Sequence, residues 1–111
     1  MTDRELLEYA AKAAGYEFIY FEPYADGSQG EYLRVKGLEN RWNPLTDDGD
    51  ALRLAVKLRI SVMQPAPEDR GNILALWPRG DGVRESMGVD IYAATRRAIV
   101  RAAAEIGKAM S

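Results

Sequence analysis

Residues 41–58 read RWNPLTDDGDALRLAVKL: an indole, a proline turn, three aspartates around one glycine, and an amphipathic run. Asn43 precedes a proline and is therefore biased out of the helical region, so no helix runs into this stretch from upstream. Thr46 or Asp47 stands where a helix cap is needed, and the neighbouring carboxylates oppose the free N–H groups and the positive end of a helix dipole. From about Asp47 to Leu58, the residues Ala51, Leu54, Ala55 and Leu58 fall on one face. A central helix thus divides the chain, and the fold follows from what lies on each side of it.

Upstream, Thr2 and Glu5 have the spacing of a capping box, and Leu6, Leu7, Ala10, Ala11 and Ala14 recur at helical period up to Gly15. That predicts a first helix over roughly residues 3–14. The aromatic and β-branched run YEFIYF, residues 16–21, lies between Gly15 and Pro23 and reads as a strand. After the loop PYADGSQG, the run EYLRVK at residues 31–36 alternates polar with apolar. The two strands make a hairpin with Tyr32 or Leu33 facing the core, according to register.

Downstream, residues 60–64 and 72–77 (NILALW) read as strands joined by PAPEDRG into a second hairpin. The glycine-rich run GDGVRESMGV, residues 80–89, reads as irregular loop. A last helix starts at Asp90, an acceptable cap, and reaches about Ala109. Its predicted buried stripe is Ile91, Ala94, Ala98, Ile99, Ala102 and Ile106. The order α-β-β-α-β-β-α predicts a single small α+β domain over residues 1–111, a four-stranded antiparallel sheet layered with helices.

Composition bounds function. With 111 residues and 47% apolar side chains, many of them alanine, the core is expected to be shallow, and a homodimer would extend it. A net charge of −2 from 15 basic and 17 acidic side chains provides no global field for nucleic acid or an anionic membrane. There is no cysteine and no histidine, which removes disulfides, thiolate metal sites, the usual general base and every Ser-His triad. The N-terminus is acidic and amphipathic, and no run approaches ~18 apolar residues, so a soluble, unexported, cytoplasmic protein without a membrane segment is expected.

Four groups of residues could carry chemistry. Asp47, Asp48 and Asp50 around Gly49 suggest a calcium loop, but aligning Gly49 with the invariant glycine of an EF-hand puts Pro44 at the first ligand position and Ala55 at the bidentate glutamate position. Both fail, so no metal site is assigned and the aspartates are read as capping groups. Trp42, in a polar loop, is a candidate contact for a partner or ligand together with Asp47 and Asp48, or a lid that packs over the sheet edge. Tyr16, Tyr20, Phe21, Tyr24 and Tyr32 could stack on bases, but Glu17 and Glu22 stand where a nucleic-acid surface would need arginines. Arg96, Arg97 and Arg101, with Arg79 and Arg84 near in space, form the best basic face, partly neutralised by Glu105 four residues after Arg101. Ser28, Ser61 and Ser86 have no activating neighbour, so no catalytic residue, cofactor or enzymatic activity is expected.

The element W-N-P-x-x-D-D-x-x-A-x-x-L, here Trp42, Asn43, Pro44, Asp47, Asp48, Ala51 and Leu54, resembles the phage ABA-sandwich domain family. The start RELLEYAAKAAG and the terminal run ATRRAIVRAAAEIG share in the likeness. The resemblance implies a sheet between helical layers in a small phage or prophage protein, and no catalytic residues. It points to a non-enzymatic accessory protein in the host cytoplasm that binds a host or phage protein, with nucleic-acid binding through the last helix, or binding of a small metabolite or nucleotide, as rivals.

Overall fold

Local signals place the helix ends. A computed structural model describes residues 1–25, 27, 30–38, 41–66, 71–78 and 81–110. Asp26, Ser28 and residues 67–70, assigned above to loops, and Arg79, assigned above to the basic face, lie outside these. Helix α1 spans Asp3–Ala14 behind a formed capping box: the Glu5 amide donates to Thr2 Oγ1 at 3.2 Å and the Thr2 amide to Glu5 Oε1 at 3.0 Å. It stops at Gly15, whose φ of 82° is open to glycine at little cost. Hairpin strands β1 (Phe18–Pro23) and β2 (Glu31–Val35) follow, then helix α2 (Asp48–Leu58), strands β3 (Ser61–Met63), β4 (Asn72–Leu76) and β5 (Gly82–Ser86), and helix α3 (Ile91–Ala109). No helix among the described residues is long and apolar enough to cross a membrane.

The result is α+β, with three helices and antiparallel strands, but the single four-stranded sheet is replaced by two separate sheets, β1-β2 and β3-β4-β5. Backbone pairing explains why. On the side of β2 away from β1, Leu33 exchanges two hydrogen bonds with Trp42, at 2.8 and 3.1 Å, so no further strand can join there. The free edge of β4 is taken by β5, which pairs Asn72 with Ser86 through to Leu76 with Gly82. Residues 82–86 are therefore a strand, not the loop that their glycines suggested. The register of the first hairpin puts Leu33 and Val35 in the core and leaves Tyr32 half-buried.

Helix α3 is the spine and packs on α1, α2, β4 and β5. Asp3 meets Arg97, Tyr9 meets Gly107 and Lys12 meets the Met110 carbonyl, so α1 and α3 run parallel. Their contact is made of small side chains: Ala10, Ala11 and Ala14 are buried on α1, and Ala102, Ala103, Ala104 and Gly107 on α3. Small residues let the backbones come close, which is how a chain with few large apolar residues still fills its interior. The buried stripe of α3 accordingly includes Val100, Ala103, Ala104 and Gly107, while Ile91, placed in that stripe from its spacing, is 39% exposed.

Gly107 tests this packing. A Cβ there would stand 1.9 Å from the Tyr9 carbonyl oxygen, so the helices must part to admit it. Gly107→Ala should lower the unfolding free energy by about 2 kcal/mol in urea titration, since overpacking outweighs the helix-propensity gain of about 1 kcal/mol.

Candidate functional site

The segment leading into α2 holds its charges inward. Trp42 is 4% exposed and packs edge-on against Tyr16, with ring centroids 5.5 Å apart. Its indole belongs to the core, in the packing role over the sheet edge, and is not presented to a partner. Asn43, also buried, is bonded at every polar group: its amide donates to Asp50 Oδ2 at 2.9 Å, its side-chain nitrogen to the Glu31 carbonyl at 2.6 Å and to Tyr24 Oη at 3.3 Å, and its Oδ1 accepts from the Leu45 amide. Its carbonyl accepts from Thr46 and Asp47. Buried amide groups need such partners, and these tie the first hairpin to α2.

Each aspartate has a structural partner. Asp47, not Thr46, caps α2 through the Asp50 amide at 2.8 Å. Asp50, 9% exposed, also binds Arg53 at 2.8 Å, and that hydrogen bond holds the guanidinium above its usual pKa range. Asp48 pairs with Arg96 at 2.7 Å. A polar hollow of about 400 Å³ opens between Tyr24, Arg41, Asp47 and Arg53, but Trp42 does not line it. Among the described residues no three carboxylates are grouped so as to hold a metal ion.

The three arginines of α3 share a helix but serve different neighbours. Arg96 donates from Nε to the Leu45 carbonyl at 2.9 Å and bridges to Asp48, fastening the start of α2. Arg97 reaches Asp3 at 3.1 Å and Glu85 at 4.0 Å. Arg101 reaches Glu85 at 2.6 Å and the Arg84 carbonyl at 2.7 Å. The neutralising carboxylate is therefore Glu85 on β5, while Glu105, expected in that role, is exposed. Arg84 does lie near Arg101, through its backbone. With each guanidinium already facing a carboxylate, the cationic face offers far less charge to phosphates than a count of arginines suggests.

What the surface does offer is apolar. On α2, Leu52 is 64% and Val56 69% exposed, one turn apart beside the buried Ala51 and Ala55. On α3, Ile91 and Tyr92 are exposed, the latter 70%. Between the two helices run two hollows of about 430 and 540 Å³ that share Leu52, Thr95 and Ile99, so they form one groove continuing to Val62 on β3. Singly exposed apolar residues are ordinary, whereas these line one contiguous groove. Sequence reading missed it. Its signal was the second apolar stripe of α2, Leu52 and Val56, adjacent to the stripe assigned to the core.

Compared with protein-family models, curated proteins and solved structures, the chain has no significant match.

The structural role of the α2 start is directly testable. Asn43→Ala orphans the Glu31 carbonyl and the Leu45 amide and should cost about 2 kcal/mol of unfolding free energy. Asp48→Ala, at a side chain 73% exposed, should cost less than about 1 kcal/mol. Urea unfolding followed by tryptophan fluorescence distinguishes the two.

Proposed function

We propose that this chain is a non-enzymatic accessory protein of a phage or prophage, acting in the host cytoplasm by binding a host or phage protein, and that the α2–α3 groove is its contact surface. The observation that carries the reading is the exposure of Leu52, Val56, Ile91 and Tyr92 around one apolar groove. Burying apolar area of this kind is the main favourable term in protein association, and aromatic anchors such as Tyr92 are enriched at such contacts. The phage origin rests on the resemblance carried by the W-N-P-x-x-D-D-x-x-A-x-x-L element and by the first and last helical runs, and modulation of host physiology or defence is the finer reading that this origin suggests. Nucleic-acid binding through Arg96, Arg97 and Arg101 is disfavoured by their pairing with Asp48, Asp3 and Glu85. A metabolite in the cleft beside the aspartates is disfavoured because Asp50 and Arg53 satisfy each other and Trp42 is buried elsewhere.

Leu52→Glu changes the groove without touching the core. Tagged wild-type and L52E chains, passed through lysate of phage-infected bacteria, should differ in at least one protein that the wild type retains and the variant loses. Identical retained sets, or retention of nucleic acid alone, would contradict the proposal.

A further inference from the structure

The order of four residues along α2 and its C-terminal cap narrows what covers the groove. Asp48, Leu52 and Val56 are four positions apart on one stripe of α2, and Arg59, the left-handed cap just past the helix end, lines the same hollow as Leu52 and Val56. The middle of the stripe is apolar and exposed. Its N-terminal end is the Asp48 carboxylate, 73% exposed and bound by Arg96 through Oδ1. Its C-terminal end is Arg59, exposed and without an ion pair to any described residue. The stripe thus reads negative, apolar, apolar, positive.

We infer that a second copy of this chain occupies the groove, with the two α2 helices packed antiparallel about a two-fold axis beside residue 54. This rests on the reading of the α2–α3 groove as a protein contact. A two-fold contact is self-complementary: whatever residue i meets, it meets in both directions. In this register Leu52 of each copy lies against Val56 of the other. The same register brings Asp48 within one residue, about 1.5 Å along the helix, of the level of Arg59 in the second copy. Both ends of the stripe then meet opposite charge. A parallel arrangement would oppose aspartate to aspartate and arginine to arginine, and like charges in contact select against it. A foreign helix would have to carry the same order of charge in reverse, whereas a second copy does so by construction. The shallow alanine-rich core makes the added apolar burial count.

Sedimentation equilibrium on the full chain, from about 10 μM to about 1 mM at low salt, reads the outcome. The mass should rise with concentration from 12.4 kDa toward twice that value, and the association should weaken as salt is raised. Leu52→Glu should weaken association at least about tenfold. Arg59→Asp, which sets two carboxylates against each other at each end of the contact, and Asp48→Lys, which sets an ammonium against the Arg59 guanidinium, should each be monomeric where the wild type is dimeric. An equimolar mixture of the two variants should form a heterodimer, because both ends then pair opposite charges. Circular dichroism confirms that each variant is folded; should Asp48→Lys unfold through loss of its Arg96 partner, Arg59→Asp and Leu52→Glu still decide. A chain monomeric at every concentration overturns the self-pairing and leaves the groove open to another protein. A dimer that Leu52→Glu and Arg59→Asp both leave intact forms through another face and likewise overturns the self-pairing, whereas the lysate comparison of wild type and L52E decides the reading of the groove.

Discussion

The structure depends on satisfying one buried polar pair, Asn43 and Asp50. Both side chains are nearly inaccessible, and a carboxylate at such a position is tolerable only with donors on it. The Asn43 amide and Arg53 supply those donors, while the Asn43 side chain reaches across to Tyr24 and the Glu31 carbonyl. The first hairpin can therefore sit in one position only against the start of α2. That position brings Trp42 alongside Leu33, closes the outer edge of β2 and separates the two sheets. Pro44, next in the chain, is fully buried.

A second consequence concerns charge. Asp47 caps a helix, Asp48 binds Arg96, Asp50 binds Arg53, and Asp3 and Glu85 bind Arg97 and Arg101. These bridges are partly exposed, so each stabilises little by itself. Their collective effect is positional: α3 is held to α1, α2 and β5 by guanidiniums that span its sides. Side chains engaged in this way offer less charge to phosphates or metal ions, and the surface left over is the apolar groove. The apparent site and the apparent basic face are scaffold, and the apolar groove lies between them.

How far the chain could be read in advance follows from the range of the forces involved. The helix ends were legible because caps act over three residues: Thr2 with Glu5, Asp47 with Asp50, Asp90 with Tyr92 and Ala93. The hairpins were legible from alternation and turn residues. The sheet count was not, because Trp42 on the edge of β2 is a long-range backbone pairing that no local pattern announces. Strand β5 was hidden for another reason: alternating positions Val83 and Glu85 within it, and Met87 just past its end, are half-buried, and the middle one is an acid that only the arginines of α3, twelve and sixteen residues later, make tolerable. The groove escaped because α2 carries two neighbouring apolar stripes, and sequence cannot say which of them the rest of the chain covers.

The proposed contact surface is the exposed stripe of α2 and the facing end of α3. Amide chemical shifts recorded over a dilution series of the wild-type chain test it most directly, because they report where association is felt. Concentration-dependent shifts are expected at residues 48–62 and at the groove-lining Ile91, Tyr92, Thr95, Arg96 and Ile99, with Trp42, Asn43 and the Arg97–Glu85–Arg101 surface unmoved. Shifts centred on Trp42, Asn43 and the Arg97–Glu85–Arg101 surface or on the polar hollow at Arg41 and Arg53 would contradict it, and no shifts at any concentration would contradict the self-pairing alone.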